Sequence, residues 1–188
     1  MSLIKPPPHL KISQWADKFR YLSTESSSEA GKFETSRAIF QKEIMNSIND
    51  PSIDEVVVMS CSQIGKTEIL LNAIGYYIHY APAPILIVHP TLEMARAWSQ
   101  DRLAPMIRDT EILKQKVAEV KSKDSGNTVL HKIFDGGHIT ACGANSPASL
   151  ASRPIKIVLC DEIDRYPPTA GSEGDPVMLA KRRSATFW

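Results

Sequence analysis

Three short runs of β-branched and aliphatic residues alternate with helical periodicity, and this alternation constrains the fold more than any other feature. The runs are Glu55-Val56-Val57-Val58-Met59-Ser60, Ile85-Leu86-Ile87-Val88 and Ile155-Lys156-Ile157-Val158-Leu159-Cys160. Residues 67 to about 80 form an apolar helical stretch between the first two. Thr91 can cap another helix, through Met94, Ala97 and Trp98 to about Ile107. Strands alternating with helices predict βαβ units, hence an α/β fold with a mostly parallel sheet flanked by helices. One part breaks the pattern: residues 128–134 and 138–142 flank Asp135-Gly136-Gly137, the signature of a β-hairpin, expected as an insertion. Upstream, Ile12, Trp15, Phe19 and Leu22 share a helical spacing, and the polar tract 23–29 reads as a flexible Ser-rich connection. The expected organisation is therefore a helix and connection over 1–30 and one domain over 31–188. Within that domain Ile39, Phe40, Ile44, Met45 and Ile48 predict a further amphipathic helix, stopped by Asn49-Asp50-Pro51.

Composition excludes several classes. With 188 residues, 43% of them hydrophobic, the chain can bury a core and is too apolar for disorder. A net charge of +1 argues against a purely electrostatic nucleic-acid binder, while leaving room for a local basic groove. No 18-residue apolar run and no apolar signal core near Met1 are present, so neither membrane insertion nor secretion is expected. Cys61, Cys142 and Cys160 form no zinc-type cluster; each lies in or beside an apolar run and is expected to be a buried thiol.

Two motifs carry chemistry. The first expected strand runs into Ser60-Cys61-Ser62-Gln63-Ile64-Gly65-Lys66-Thr67, followed by a helix. This is the context of a Walker A phosphate loop, although Ser60 stands where the usual pattern has Gly. Loop N–H groups and the helix N-terminus attract phosphate, Gly65 permits close approach, Lys66 neutralises the β and γ phosphates, and the Thr67 hydroxyl suits Mg²⁺. The third expected strand delivers Asp161-Glu162 at its carboxyl end, a Walker B arrangement. Asp161 is expected to hold Mg²⁺ and Glu162 to deprotonate an attacking water. Taken alone, Gly-Lys-Thr is a common chance tripeptide and an acidic pair after a strand is an ordinary turn. Their joint placement predicts a P-loop NTPase that binds ATP and Mg²⁺.

Residues 59–67, His89-Pro90-Thr91-Leu92-Glu93-Met94-Ala95 and Leu150-Ala151-Ser152-Arg153-Pro154 continue into Asp161-Glu162-Ile163-Asp164-Arg165-Tyr166-Pro167 and Gly171-Ser172-Glu173-Gly174-Asp175-Pro176. This series resembles the large terminase subunit of tailed bacteriophages, in the lambda-like GpA branch, over nearly the whole chain. The resemblance implies a RecA-like, ASCE-class ATPase in the host bacterial cytoplasm. It implies a motor that packs double-stranded viral DNA into a procapsid with a small terminase subunit and a portal ring, active as a homo-oligomer. It also implies that a coupling motif and a nuclease lie beyond Trp188, so that the chain is an N-terminal ATPase fragment.

The roles of Phe40, Gln41 and Arg153 follow only from the resemblance. Phe40 and Gln41 would contact adenine; the plain alternative is a core aromatic and a surface helix residue. Arg153 would act as an arginine finger on a neighbouring subunit's nucleotide, or is simply an arginine in a turn. Ser62 occupies the place where some family loops carry an arginine. Lys181, Arg182 and Arg183 read as a solvated helix face before DNA contacts, and Trp98 as core. His79, His89, His131 and His138 have no spacing suited to metal or catalysis. A superfamily-2 DExD helicase or translocase is the alternative, and a nucleotide-binding module without turnover is a third reading.

Overall fold

The computed structural model describes residues 9–25, 29–117, 126–151 and 154–184. Its elements in chain order begin with α1 (Ile12–Phe19), β1 (Tyr21–Leu22), β2 (Gly31–Lys32), α2 (Phe40–Ile48), α3 (Lys66–His79), β3 (Ile85–His89) and α4 (Leu92–Trp98). Then come α5 (Ala104–Asp109), α6 (Glu111–Lys114), β4 (His131–Phe134), β5 (Gly137–Gly143), α7 (Pro147–Ala151), β6 (Ile157–Cys160) and α8 (Pro176–Lys181). The main sheet has the order β4-β5-β3-β6: β5, β3 and β6 are parallel, and β4 is antiparallel to β5. A two-stranded antiparallel pair, β1-β2, stands apart from it.

β3 is buried along its whole length because both sheet faces are covered. Ile85 and Ile87 enter one apolar core with Ile12, Trp15, Ile74 and Ile78 of α1 and α3. Leu86 and Val88 face the opposite way, into a second core with Cys142, Leu150, Leu179 and Ala180. The alternation of strand side chains thus explains why this run is continuously aliphatic. Parallel pairing also brings the carboxyl ends of β5, β3 and β6 to one edge, which is what positions the site.

Four sequence expectations need correction. The hairpin is no appendage: β4 and β5 pair as expected around Asp135-Gly136, but β5 is an interior strand, paired parallel to β3 from Ile85↔Ile139 to His89↔Gly143. The run at 55–60 is not a strand in the described residues; Val57 is 78% and Met59 98% exposed. Strand preference of β-branched residues reflects packing on a pleated surface, and among the described residues no strand pairs with this run to supply one. The helix from Thr91 is capped as expected, with Thr91 Oγ1 accepting from the Met94 N–H at 3.2 Å, but it is not regular to Ile107. A π-helical turn, Ser99–Leu103, separates α4 from α5, and the Ala104 N–H donates to the Ser99 carbonyl five residues back. Pro105 lacks an N–H and its ring would strike the Asp101 carbonyl in a regular helix, so the wider turn fits it. Leu22 lies in β1 rather than on α1. Residues 26–28 of the expected flexible tract fall outside the described residues.

Gly75 shows how tightly α1 meets α3. A Cβ there would lie 2.2 Å from Trp15 Cη2. Trp15 is fully buried and its indole N–H donates to His79 Nδ1 at 3.0 Å, so the ring cannot step aside. Gly75→Ala gains about 1 kcal/mol of helix propensity and incurs an overpacking cost of about 1–3 kcal/mol. With a contact this short the upper end applies, and the expected result is a net loss of about 2 kcal/mol, read as a lower urea midpoint at unchanged m.

Candidate functional site

The loop before α3 turns through two left-handed residues, Gln63 at φ 61° and Gly65 at φ 80°. For Gly65 the conformation carries no steric penalty, which is why the chain can enter the helix here so abruptly. Gly65 is the N-cap of this 14-residue helix and supplies no side-chain cap; its carbonyl accepts from the Glu68 N–H at 3.0 Å, which leaves the N–H groups of Lys66 and Thr67 ahead of that bond for another acceptor. Lys66, the first helical residue, donates its ammonium to the Cys61 carbonyl at 3.0 Å across the loop. Thr67 follows it on the same turn. Ser60 Oγ is buried and has no hydrogen-bond partner among the described residues. Cys61, expected to be a buried thiol, is exposed, because the loop that carries it lies on the surface. Cys142 is buried, and burial pushes its thiol up to about 12.

Asp161 follows β6 directly and its N–H donates to the Val88 carbonyl at 3.0 Å, extending the ladder one residue past the strand. Its pKa is raised by burial and by the neighbouring Glu162 charge, while the Lys66 ammonium pulls it down. The last effect places the two motifs within electrostatic reach of each other. Glu162 sits at φ 52°, unusual for a residue with a Cβ and a form of stored strain. Its carboxylate accepts from Arg165 Nη1 at 2.9 Å on an exposed turn.

Two neighbours of this acidic pair escape the sequence reading. His89, at the end of β3, is 3% exposed and brings Nδ1 to 3.8 Å from Asp161 Oδ2. Burial lowers its pKa to about 4 against the opposing pull of Glu162, so the ring is neutral at pH 7 and the approach is not an ion pair. The signal lay in topology: β3 and β6 are parallel neighbours, so the residues ending them meet. Arg165 is the second, and its i+3 spacing from Glu162 was available to the sequence reading.

On α2, Phe40 is half exposed whereas Gln41 is buried, with Nε2 donating to the Ile64 carbonyl at 3.0 Å. Arg153 lies outside the described residues. Among the described residues no group of three His, Cys, Asp or Glu side chains could hold a metal ion. Asp161 supplies a carboxylate and Thr67 a hydroxyl, hard oxygen donors of the kind Mg²⁺ uses when phosphates and water complete its shell. The orphaned Ser60 hydroxyl, the helix without a side-chain cap, and the opposite charges of Lys66 and Asp161 fit a nucleotide with that ion. No helix of the described residues is long and apolar enough to cross a membrane.

Residues 27–188 match the family described as the ATPase domain of the phage terminase large subunit gpA. The chain is similar to the large terminase subunit of Enterobacteria phage P21, at 30% identity over 190 residues, and to that of Escherichia phage lambda, at 29% over 189. Each comparison takes in 100% of this chain and 29% of the relative, so the chain spans less than a third of their length.

Proposed function

The chain belongs to the ATPase-domain family of the phage terminase large subunit gpA, and from that premise we propose that it binds MgATP at the loop 60–67 and hydrolyses it. What supports this reading is the α3 N-terminus without a side-chain cap, which carries Lys66, together with the electrostatic pull of Lys66 on Asp161 at the end of β6. The finer fold assignment, a RecA-like ASCE arrangement within the domain 31–188, rests on the same placement and on the parallel β5-β3-β6 order.

The residues divide the work as follows. Backbone N–H groups of the loop and of the first turn of α3 hold the phosphates. Lys66 exchanges the Cys61 carbonyl for phosphate oxygens and offsets their charge. Thr67 and Asp161 would hold Mg²⁺, which when bound stabilises charge on the β- and γ-phosphate oxygens. Glu162 accepts a proton from water as its oxygen bonds to the γ-phosphorus and the bond to the bridging oxygen breaks, leaving ADP and phosphate. Release of Glu162 from Arg165 frees the carboxylate for that role. Phe40 offers an exposed ring on which adenine can stack, and Arg153 acts on a neighbouring subunit's nucleotide. In the longer protein, hydrolysis drives double-stranded DNA into a procapsid through a portal, with a small terminase subunit and an added nuclease.

The direct test is phosphate release from ATP, with and without Mg²⁺, on this chain and on the full-length protein. Mg²⁺-dependent release by the full-length protein, stimulated by DNA and procapsids, is the expected result. Nucleotide binding with no release under any of these conditions would leave a binding module instead.

A further inference from the structure

Gln41 is 4% exposed, although the residues beside it on α2 face solvent. A buried amide is costly unless its hydrogens are used. Here Nε2 donates to two successive carbonyls, Ile64 at 3.0 Å and Gly65 at 3.4 Å, the last two before α3 begins. A second observation marks the same contact: a Cβ on Gly65 would lie 2.5 Å from Gln41 Nε2. The absence of a side chain at Gly65 therefore serves the amide as well as the φ of 80°.

The consequence follows from peptide geometry. In a trans peptide the C=O and the next residue's N–H point in opposite directions. The Gly65 carbonyl is held by the Glu68 N–H at 3.0 Å as well as by Gln41, and the Ile64 carbonyl by Gln41; carbonyls fixed this way turn the N–H groups of Gly65 and Lys66 away from the amide. Those N–H groups belong to the part of the loop assigned above to phosphate, where a carbonyl turned the other way would repel the anion. Because of the resemblance, Gln41 is expected to read adenine. The geometry points to a different role: we propose that Gln41 is a positioning residue that sets the phosphate loop, and that it acts on the triphosphate regardless of the base. This rests on the reading of 60–67 as the nucleotide site.

The test is calorimetric binding of ATP, GTP and inorganic tripolyphosphate, each with Mg²⁺, to the parental chain, Gln41→Glu and Gln41→Met. Both substitutions keep the side-chain length and remove the N–H donor; Met adds no charge and guards against misfolding of the Glu variant. The expected result is a common loss of about tenfold in affinity for all three ligands. A purely structural role would instead lower the melting temperature and the binding-competent fraction, with the Kd of that fraction unchanged. That outcome overturns the proposal. So does a loss confined to ATP, which would return Gln41 to the base, and so does no loss at all. If the parental chain binds none of the three, the nucleotide-site reading falls and the proposal falls with it.

Discussion

Glu162→Gln should leave ATP bound and nearly unhydrolysed, with turnover of the full-length protein down by about 10²–10⁴-fold. The substitution is informative because it changes so little else. Glu162 sits at φ 52°, and Gln meets the same backbone strain with a side chain of the same shape. The Arg165 contact at 2.9 Å also survives as a hydrogen bond to the amide oxygen. What disappears is the ability to take a proton from water. Lys66→Ala acts at the other end of the reaction coordinate. In the proposed site its ammonium meets the phosphates in the ground state, so removal should weaken ATP binding itself. Equilibrium binding and phosphate release on the same preparations separate the two: tight and silent for Glu162→Gln, weak for Lys66→Ala. Parental turnover in Glu162→Gln would show that another group takes the proton.

The parts of this site that were legible in the sequence are those set by local chemistry. Gly65-Lys66-Thr67 ahead of an apolar helix needs no tertiary information, and α3 begins at Lys66. Asp161-Glu162 after Ile157–Cys160 is equally local, because a strand's carboxyl end places the residues that follow it. What was not legible depends on partners distant in sequence. The hairpin was recognised from Asp135-Gly136, yet nothing local distinguishes an appended hairpin from one whose second arm pairs with β3. The run at 55–60 has the composition of a buried strand, but composition cannot supply the neighbour a strand requires, and Val57 and Met59 are exposed. His89 looked idle because its partner, Asp161, lies across a strand pair rather than at a fixed spacing. Gln41 was singled out only through the resemblance, as a contact to adenine. Its 3.0 Å contact with the Ile64 carbonyl is a packing result that no motif encodes.

Arg20→Ala should be the most destabilising single change outside the nucleotide site, at about 3–5 kcal/mol, enough to unfold a marginally stable domain. Arg20 is 1% exposed and sits where α1 gives way to β1. Its guanidinium donates to the Tyr21 carbonyl and, through Nη2, to Glu68 Oε2 at 3.2 Å. Burial lowers its pKa while the Glu68 charge raises it, which marks the pair as mutually dependent. Removing Arg20 leaves Glu68, only 20% exposed, without its counter-charge, and empties the volume the guanidinium filled. Glu68→Gln removes the charge from the other side and strands the cation, so it too should be costly, though less so because the amide can still accept. Replacing both, as Arg20→Met with Glu68→Leu, should recover most of the loss, since an apolar pair of similar volume avoids the desolvation of two ions. Urea unfolding of the parent, both single variants and the double variant forms a cycle that isolates the coupling. Glu68 lies two residues after Lys66 on the first turn of α3, so the same pair ties the end of α1 to the helix whose N-terminus is proposed to hold the phosphates. If Arg20→Ala unfolds at the parental midpoint, the pair holds nothing together, and the orientation of α3 comes from its apolar packing and the Trp15–His79 hydrogen bond.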